Sequence, residues 1–119
     1  MIGGVVGVII WTENLDRLAA FYRDTLGLEP YSVHPDSVSF RWGGMRLRVA
    51  THSHVEGPSK DPIRIMVNLG VTDIHAVHGA LVAKGVVFSR PPVQEDWKGW
   101  VATFADPDGN TLQLLQQPS

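Results

Sequence analysis

The residues with the most chemistry to offer are arginines set between apolar side chains at a spacing of two. Met45-Arg46-Leu47-Arg48-Val49 alternates strictly, so an extended backbone turns both guanidinium groups to one side and the three apolar groups to the other. The stretch Ile63 to Val71 alternates in the same way, with Ile63, Ile65, Val67, Leu69 and Val71 on the side meant for a helix-packed core and Arg64, Met66, Asn68 and Gly70 opposite. Thr111-Leu112-Gln113-Leu114 adds Gln113 to a polar face of this kind. Guanidinium groups are fork-shaped donors that match carboxylate and phosphate. Arg48 and Arg64 would therefore hold an anionic or polar small molecule, Asn68 and Gln113 would fix its orientation, and Met66 would supply apolar contact. The plain alternative is that Arg48 and Arg64 pair with Asp or Glu on a protein face.

Other groups carry weaker chemical signals. Trp97 and Trp100 flank a loop from Pro91 to Lys98 and would offer stacking surfaces to a planar ligand. Trp11 and Trp42 sit near strand ends and read as core or dimer packing. His52 and His54 would share a face of an extended segment. A metal site needs three or more ligands and a supporting shell, so a solvated linker is the simpler reading. His75 and His78 lie one turn apart on a helix and read as structural, and His34 carries no specific signal. Glu95 and Asp96 offer a general base with nothing to fix their geometry. No Ser-His-Asp set or phosphate-cradling glycine loop is present, so no catalytic residue is assigned.

The elements that must position these groups come in two copies. The first runs from an apolar strand at Val5–Trp11, through a helix over Leu15–Leu26 capped by Asn14 or Thr12, to a stop at Gly27. Strands at Glu29–His34, Ser37–Trp42 and Met45–Thr51 follow, separated by Pro35-Asp36 and Gly43-Gly44. The second copy has a strand at Ile63–Val71, a helix over Ile74–Lys84 capped by Thr72 or Asp73, and a stop at Gly85. Strands at Val86–Ser89, Gly99–Ala105 and Thr111–Gln116 complete it. The spacing predicts an α+β fold of two βαβββ modules, about 1–57 and 58–119, in a single domain over residues 1–119 with His52–Pro62 as the connection. Two sheets placed together would enclose a groove lined by Gly7, Arg48, Arg64, Met66, Asn68 and Gln113.

Composition narrows the partners. The formal charge of −2 argues against a nucleic-acid binder, which normally shows a basic stripe. Charged residues are 18% of the chain against a usual share of about 25%, which suggests surface covered by a second subunit. With no cysteine there is no disulfide, thiol catalysis or thiolate metal site. The apolar start is too short to span a bilayer and lacks the marks of a signal peptide, so a cytoplasmic protein with no membrane partner is expected.

The chain resembles the vicinal oxygen chelate superfamily, which includes glyoxalase I, bleomycin-resistance proteins, extradiol dioxygenases and fosfomycin-resistance enzymes. The resemblance rests on Asn14-Leu15-Asp16 through Phe21-Tyr22-Arg23-Asp24-Thr25-Leu26-Gly27-Leu28, and on Asp106-Pro107-Asp108-Gly109-Asn110-Thr111-Leu112-Gln113-Leu114. It implies two βαβββ modules forming an open, incomplete barrel, commonly completed by dimerisation. It also implies that metal-dependent members draw ligands from strand positions that correspond here to Gly7, Arg48, Met66 and Gln113. Glycine has no donor, methionine is a soft thioether, and arginine is a permanent cation, which leaves Gln113 alone able to coordinate. No metal and no other cofactor is expected. The expectation is a metal-independent homodimer that binds a small molecule, sequestering a toxic compound or antibiotic or sensing a metabolite. The alternatives are a glyoxalase- or dioxygenase-like enzyme with displaced ligands, and a structural subunit whose groove is filled by its own side chains.

Overall fold

The computed structural model describes residues 1–119 and divides into two compact units, Met1–Gly57 and Pro58–Ser119. Each has the order β-α-β-β-β.

In the first unit, β1 (Gly7–Thr12) leads into α1 (Leu15–Ala20). The Asn14 side chain accepts a hydrogen bond from the Arg17 backbone N–H, while Thr12 Oγ1 accepts from the Asn14 N–H. Asn14 is thus the cap and Thr12 steadies it. The expected helix to Leu26 does not stay α-helical. Phe21–Thr25 is a π-helical turn, closed by the Leu26 N–H donating to the Phe21 carbonyl. Gly27 then takes φ 77°, and the Leu28 N–H reaches the Tyr22 carbonyl. Strands β2 (Pro30–His34), β3 (Ser37–Trp42) and β4 (Met45–Thr51) complete a sheet in the order β1-β4-β3-β2. The β1–β4 pairing is parallel and the others are antiparallel.

Alternation sorts this sheet into two faces. Val38, Phe40, Leu47 and Val49 are buried with Leu18, Ala19 and Tyr22 of the helical segment. Ile9, Arg41, Arg46 and Arg48 are exposed on the other side.

The second unit repeats the plan with β5 (Val67–Gly70), α2 (Ile74–Ala83), β6 (Phe88–Gln94), β7 (Trp100–Ala105) and β8 (Thr111–Gln116), in the sheet order β5-β8-β7-β6. Asp73 caps α2 by accepting from the Ala76 N–H, and Gly85 follows the helix at φ 94°. Ile74, Leu81, Phe104, Leu112 and Leu114 form its core. Asp106 braces the turn before β8: one carboxylate oxygen accepts from the N–H groups of Asp108 and Asn110, and the other accepts from the Asn110 side-chain amide.

Two strand expectations change. The strand expected at Ile63–Val71 begins only at Val67. Pro62 and Ile63 form a turn, the Arg64 N–H donates to the Asp61 carbonyl, and Ile63 and Ile65 are 71% and 80% exposed. The loop expected at Pro91–Lys98 is largely strand and hairpin. Pro91 and Pro92 lie inside β6, which is tolerated because β6 is an edge strand and its register slips around them.

Candidate functional site

The first unit carries a pocket of about 290 Å³ on the open face of its sheet, lined by Val6–Ile9, Tyr31, Ser39, Arg46 and Arg48. Register explains the lining. On one row Ile9, Arg48 and Ser39 are cross-strand neighbours, and on the next Gly7, Arg46 and Arg41 are. Tyr31 enters at an irregularity between Pro30 and Ser32 in the β2–β3 ladder, and the Arg41 guanidinium lies 5.0 Å from its ring centroid.

The electrostatics are one-sided. Arg23 pairs with Asp24, Arg64 with Asp61 and Arg90 with Glu95. The hydrogen bond to Asp24, then its charge, holds the exposed Arg23 above its ordinary pKa. The side chains of Arg46 and Arg48 have no carboxylate partner and no hydrogen-bond partner in the protein, and no acidic side chain lines the pocket.

The remaining sequence-derived candidates are in the second unit. Asn68 and Gln113 are direct neighbours across β5 and β8, and Thr103 continues the row beyond Gln113. Asn68 is exposed and Gln113 half-buried. Met66 precedes β5 and is 38% exposed. Arg64 lies outside the strand, with Nε 2.6 Å from Asp61 Oδ2. Trp97 is at the tip of the β6–β7 hairpin, 47% exposed, with its ring lying over Gly99. Trp100 is half-buried, and His75 meets it edge-on at 4.8 Å between centroids. Sequence reasoning placed Arg46 on the polar face of its strand without assigning it to a ligand, and it missed Tyr31, Ser39 and Arg41 altogether. Their signal is the cross-strand register, which alternation within one strand does not reveal.

His52, His54, His78 and Glu95 have local roles. His52 Nδ1 accepts from the His54 N–H, and the His52 ring packs edge-on against Trp11 at 5.0 Å. His78 packs against Phe88. Glu95 accepts from Arg90, and its N–H donates to the Gly99 carbonyl within the hairpin.

The four positions that would supply metal ligands do not fit a divalent ion. In the first unit, Arg48 is cationic and Gly7 has no side chain. A Cβ at Gly7 would stand 2.8 Å from the Arg46 carbonyl oxygen, so the strand pairing leaves no space for one. In the second unit, Met66 offers a thioether and Gln113 a single neutral amide. No group of three or more His, Asp or Glu side chains is placed to hold a metal ion.

Residues 4–114 match the family model of the Glyoxalase/Bleomycin resistance protein/Dioxygenase superfamily. No curated protein matches the sequence significantly. Among solved structures, a glyoxalase/bleomycin resistance protein/dioxygenase from Nocardioides has TM-score 0.82 at 21% identity, covering 100% of this chain and 86% of that one. A lactoylglutathione lyase from Agrobacterium tumefaciens has TM-score 0.78 at 18% identity, covering 97% and 94%. A glyoxalase-related enzyme from Fulvimarina pelagi has TM-score 0.80 at 19% identity, covering 98% and 89%. At these identities the likeness is one of fold. It agrees with the two-module α+β architecture, in which both sheets are open. No helix is long and apolar enough to cross a membrane.

Proposed function

Because the chain belongs to the glyoxalase/bleomycin resistance protein/dioxygenase superfamily, yet carries unsuitable residues at the family's ligand positions, we propose that it binds a polar or anionic small molecule without a metal. The observation that carries this reading is the pair Arg46 and Arg48, unpartnered and lining one pocket with Ser39 and Tyr31. Concave sites with an apolar wall and a few convergent polar groups are the usual form of a small-molecule site.

Arg48 is the principal anchor in this reading. The second module, taken by itself, is proposed to offer a polar row of Asn68 and Gln113, with Met66, Trp97 and Trp100 for apolar contact. Arg64 takes part only by leaving Asp61, which is inexpensive for an exposed pair. The protein is proposed to be a cytoplasmic homodimer with no nucleic-acid partner. Exposed apolar side chains such as Val33, at 69%, and Val87, at 85%, favour a covered surface in the assembled state. Sequestration of a toxic compound or sensing of a metabolite are the roles such binding serves.

The test is calorimetry on chelator-treated protein. Titration with zinc, nickel and manganese is expected to show no stoichiometric binding, while small carboxylates or phosphates bind and Arg48→Gln weakens them. Stoichiometric metal binding, or chelator-sensitive turnover of the methylglyoxal–glutathione adduct, would overturn the reading in favour of an enzyme with displaced ligands.

A further inference from the structure

We propose that the ligand of the first module is a dianion, one group or molecule carrying two negative charges, seated between Arg46 and Arg48 with its body against Tyr31. This rests on the reading of that pocket as a binding site and adds the charge of what it takes.

Charge counting points to it. Every other arginine that faces a carboxylate is neutralised by it, as in the pairs to Asp24, Asp61 and Glu95. Arg46 and Arg48 face none, and alternation places them on one side of β4, about 7 Å apart along the strand. Arg41 stands directly across from Arg46 on the same face and keeps its charge, but its guanidinium lies over the Tyr31 ring and outside the pocket lining. Like charges directly opposite one another weaken a sheet, so this cluster costs the fold something that a bound anion offsets. A monoanion leaves one of the two pocket guanidiniums uncompensated, whereas a dianion matches both. Ser39 adds a hydroxyl beside Arg48, and Gly7 keeps the β1 side of Arg46 free of any side chain. The apolar wall of Val6, Ile9 and the Tyr31 ring suits a small planar or aliphatic body. Two chemistries share this charge: a phosphate monoester and a compact dicarboxylate.

The experiment uses four probes of similar size on the full chain, followed by amide chemical shifts and calorimetry: phenyl phosphate, phthalate, benzoate and benzamide. At about pH 8 a dianion is expected to bind at least about tenfold more tightly than benzoate, with shifts centred on Gly7, Ser39, Arg46 and Arg48. A preference for phenyl phosphate or for phthalate distinguishes the two chemistries, and either supports the proposal. Phenyl phosphate should weaken about tenfold as pH falls through its second ionisation near about pH 6. Arg46→Gln and Arg48→Gln should each remove most of the preference for dianion over monoanion, whereas Arg23→Gln should leave it unchanged. Neither pocket arginine has a protein partner to lose, so both variants are expected to fold, with melting curves as the check. Benzoate binding as tightly as phenyl phosphate at the same residues would overturn the dianion assignment and leave the binding reading standing. No shift at these residues with any probe would overturn both.

Discussion

Arg41 on β3 and Arg46 on β4 are directly opposed in the antiparallel ladder, two cations facing each other on an open sheet face. A fold selected for stability alone has no use for that pairing. Replacing Arg46 with Gln removes the repulsion and retains a side chain of similar length. Urea unfolding should show the variant more stable by a few tenths to about 1 kcal/mol. The gain should shrink in 1 M salt, where the screening length is about 3 Å. A loss of stability at both salt concentrations would mean that Arg46 has a structural partner.

Gly7 and Arg46 make a different kind of contact, one of backbone against backbone. With 2.8 Å from a Cβ at position 7 to the Arg46 carbonyl oxygen, even Gly7→Ala must push β1 away from β4. Overpacking of this sort costs about 1–3 kcal/mol. Gly7→His, which would restore a metal-ligand type, should lose at least as much stability and gain no zinc affinity by calorimetry. Wild-type stability together with zinc binding in Gly7→His would show that the strand opens freely.

Parts of this arrangement are legible in the sequence and parts are not, for physical reasons that can be named. The alternation in Met45–Thr51 and Thr111–Gln116 reports strands whose inner face is buried, and Leu47, Val49, Leu112 and Leu114 are indeed buried while Arg46 and Arg48 are exposed. The same alternation over Ile63–Met66 is misleading. The segment follows Pro62 and is held in a turn around Asp61, where periodicity has no meaning. The Pro-Pro pair in β6 reads as a loop because sequence shows neither that a strand lies at an edge nor which N–H groups face away from the ladder. The π-helical turn at Phe21–Thr25 leaves the helical spacing almost intact and so goes unseen. At the site, Arg48 is legible from its own strand. Tyr31, Ser39 and Arg41 join it only through register and an irregularity in β2, both properties of pairing between strands.

Asp106 carries more structure than its place in a turn suggests. It is 4% exposed and accepts from two backbone N–H groups and one side-chain amide. Asp106→Ala leaves those donors without their acceptor in a turn where Asp106 and Asp108 are buried. The expected loss is at least about 2 kcal/mol, read as a lower urea midpoint with an unchanged slope. Because the Asp106 N–H also donates to the carbonyl of Asn110, the residue before β8, hydrogen exchange should accelerate at Thr111 and Leu112 before it does in β4. Equal acceleration in both sheets would indicate that the turn is not the local brace.

Gly99 poses the same steric question as Gly7 and should receive the opposite answer. A Cβ there would fall 1.7 Å from the Trp97 ring, but the obstacle is the far end of a side chain at an exposed hairpin tip. Trp97 can swing away where the Arg46 carbonyl cannot. Gly99→Ala should therefore leave the melting temperature nearly unchanged while shifting tryptophan emission to the red, as the ring gives up its backing and enters water. If the ring over Gly99 serves as a stacking platform for a planar ligand, the variant should also bind aromatic probes more weakly than benzene-free anions of equal charge. Unchanged emission would mean that the ring already samples solvent, and the hairpin tip would then offer no fixed surface to stack on.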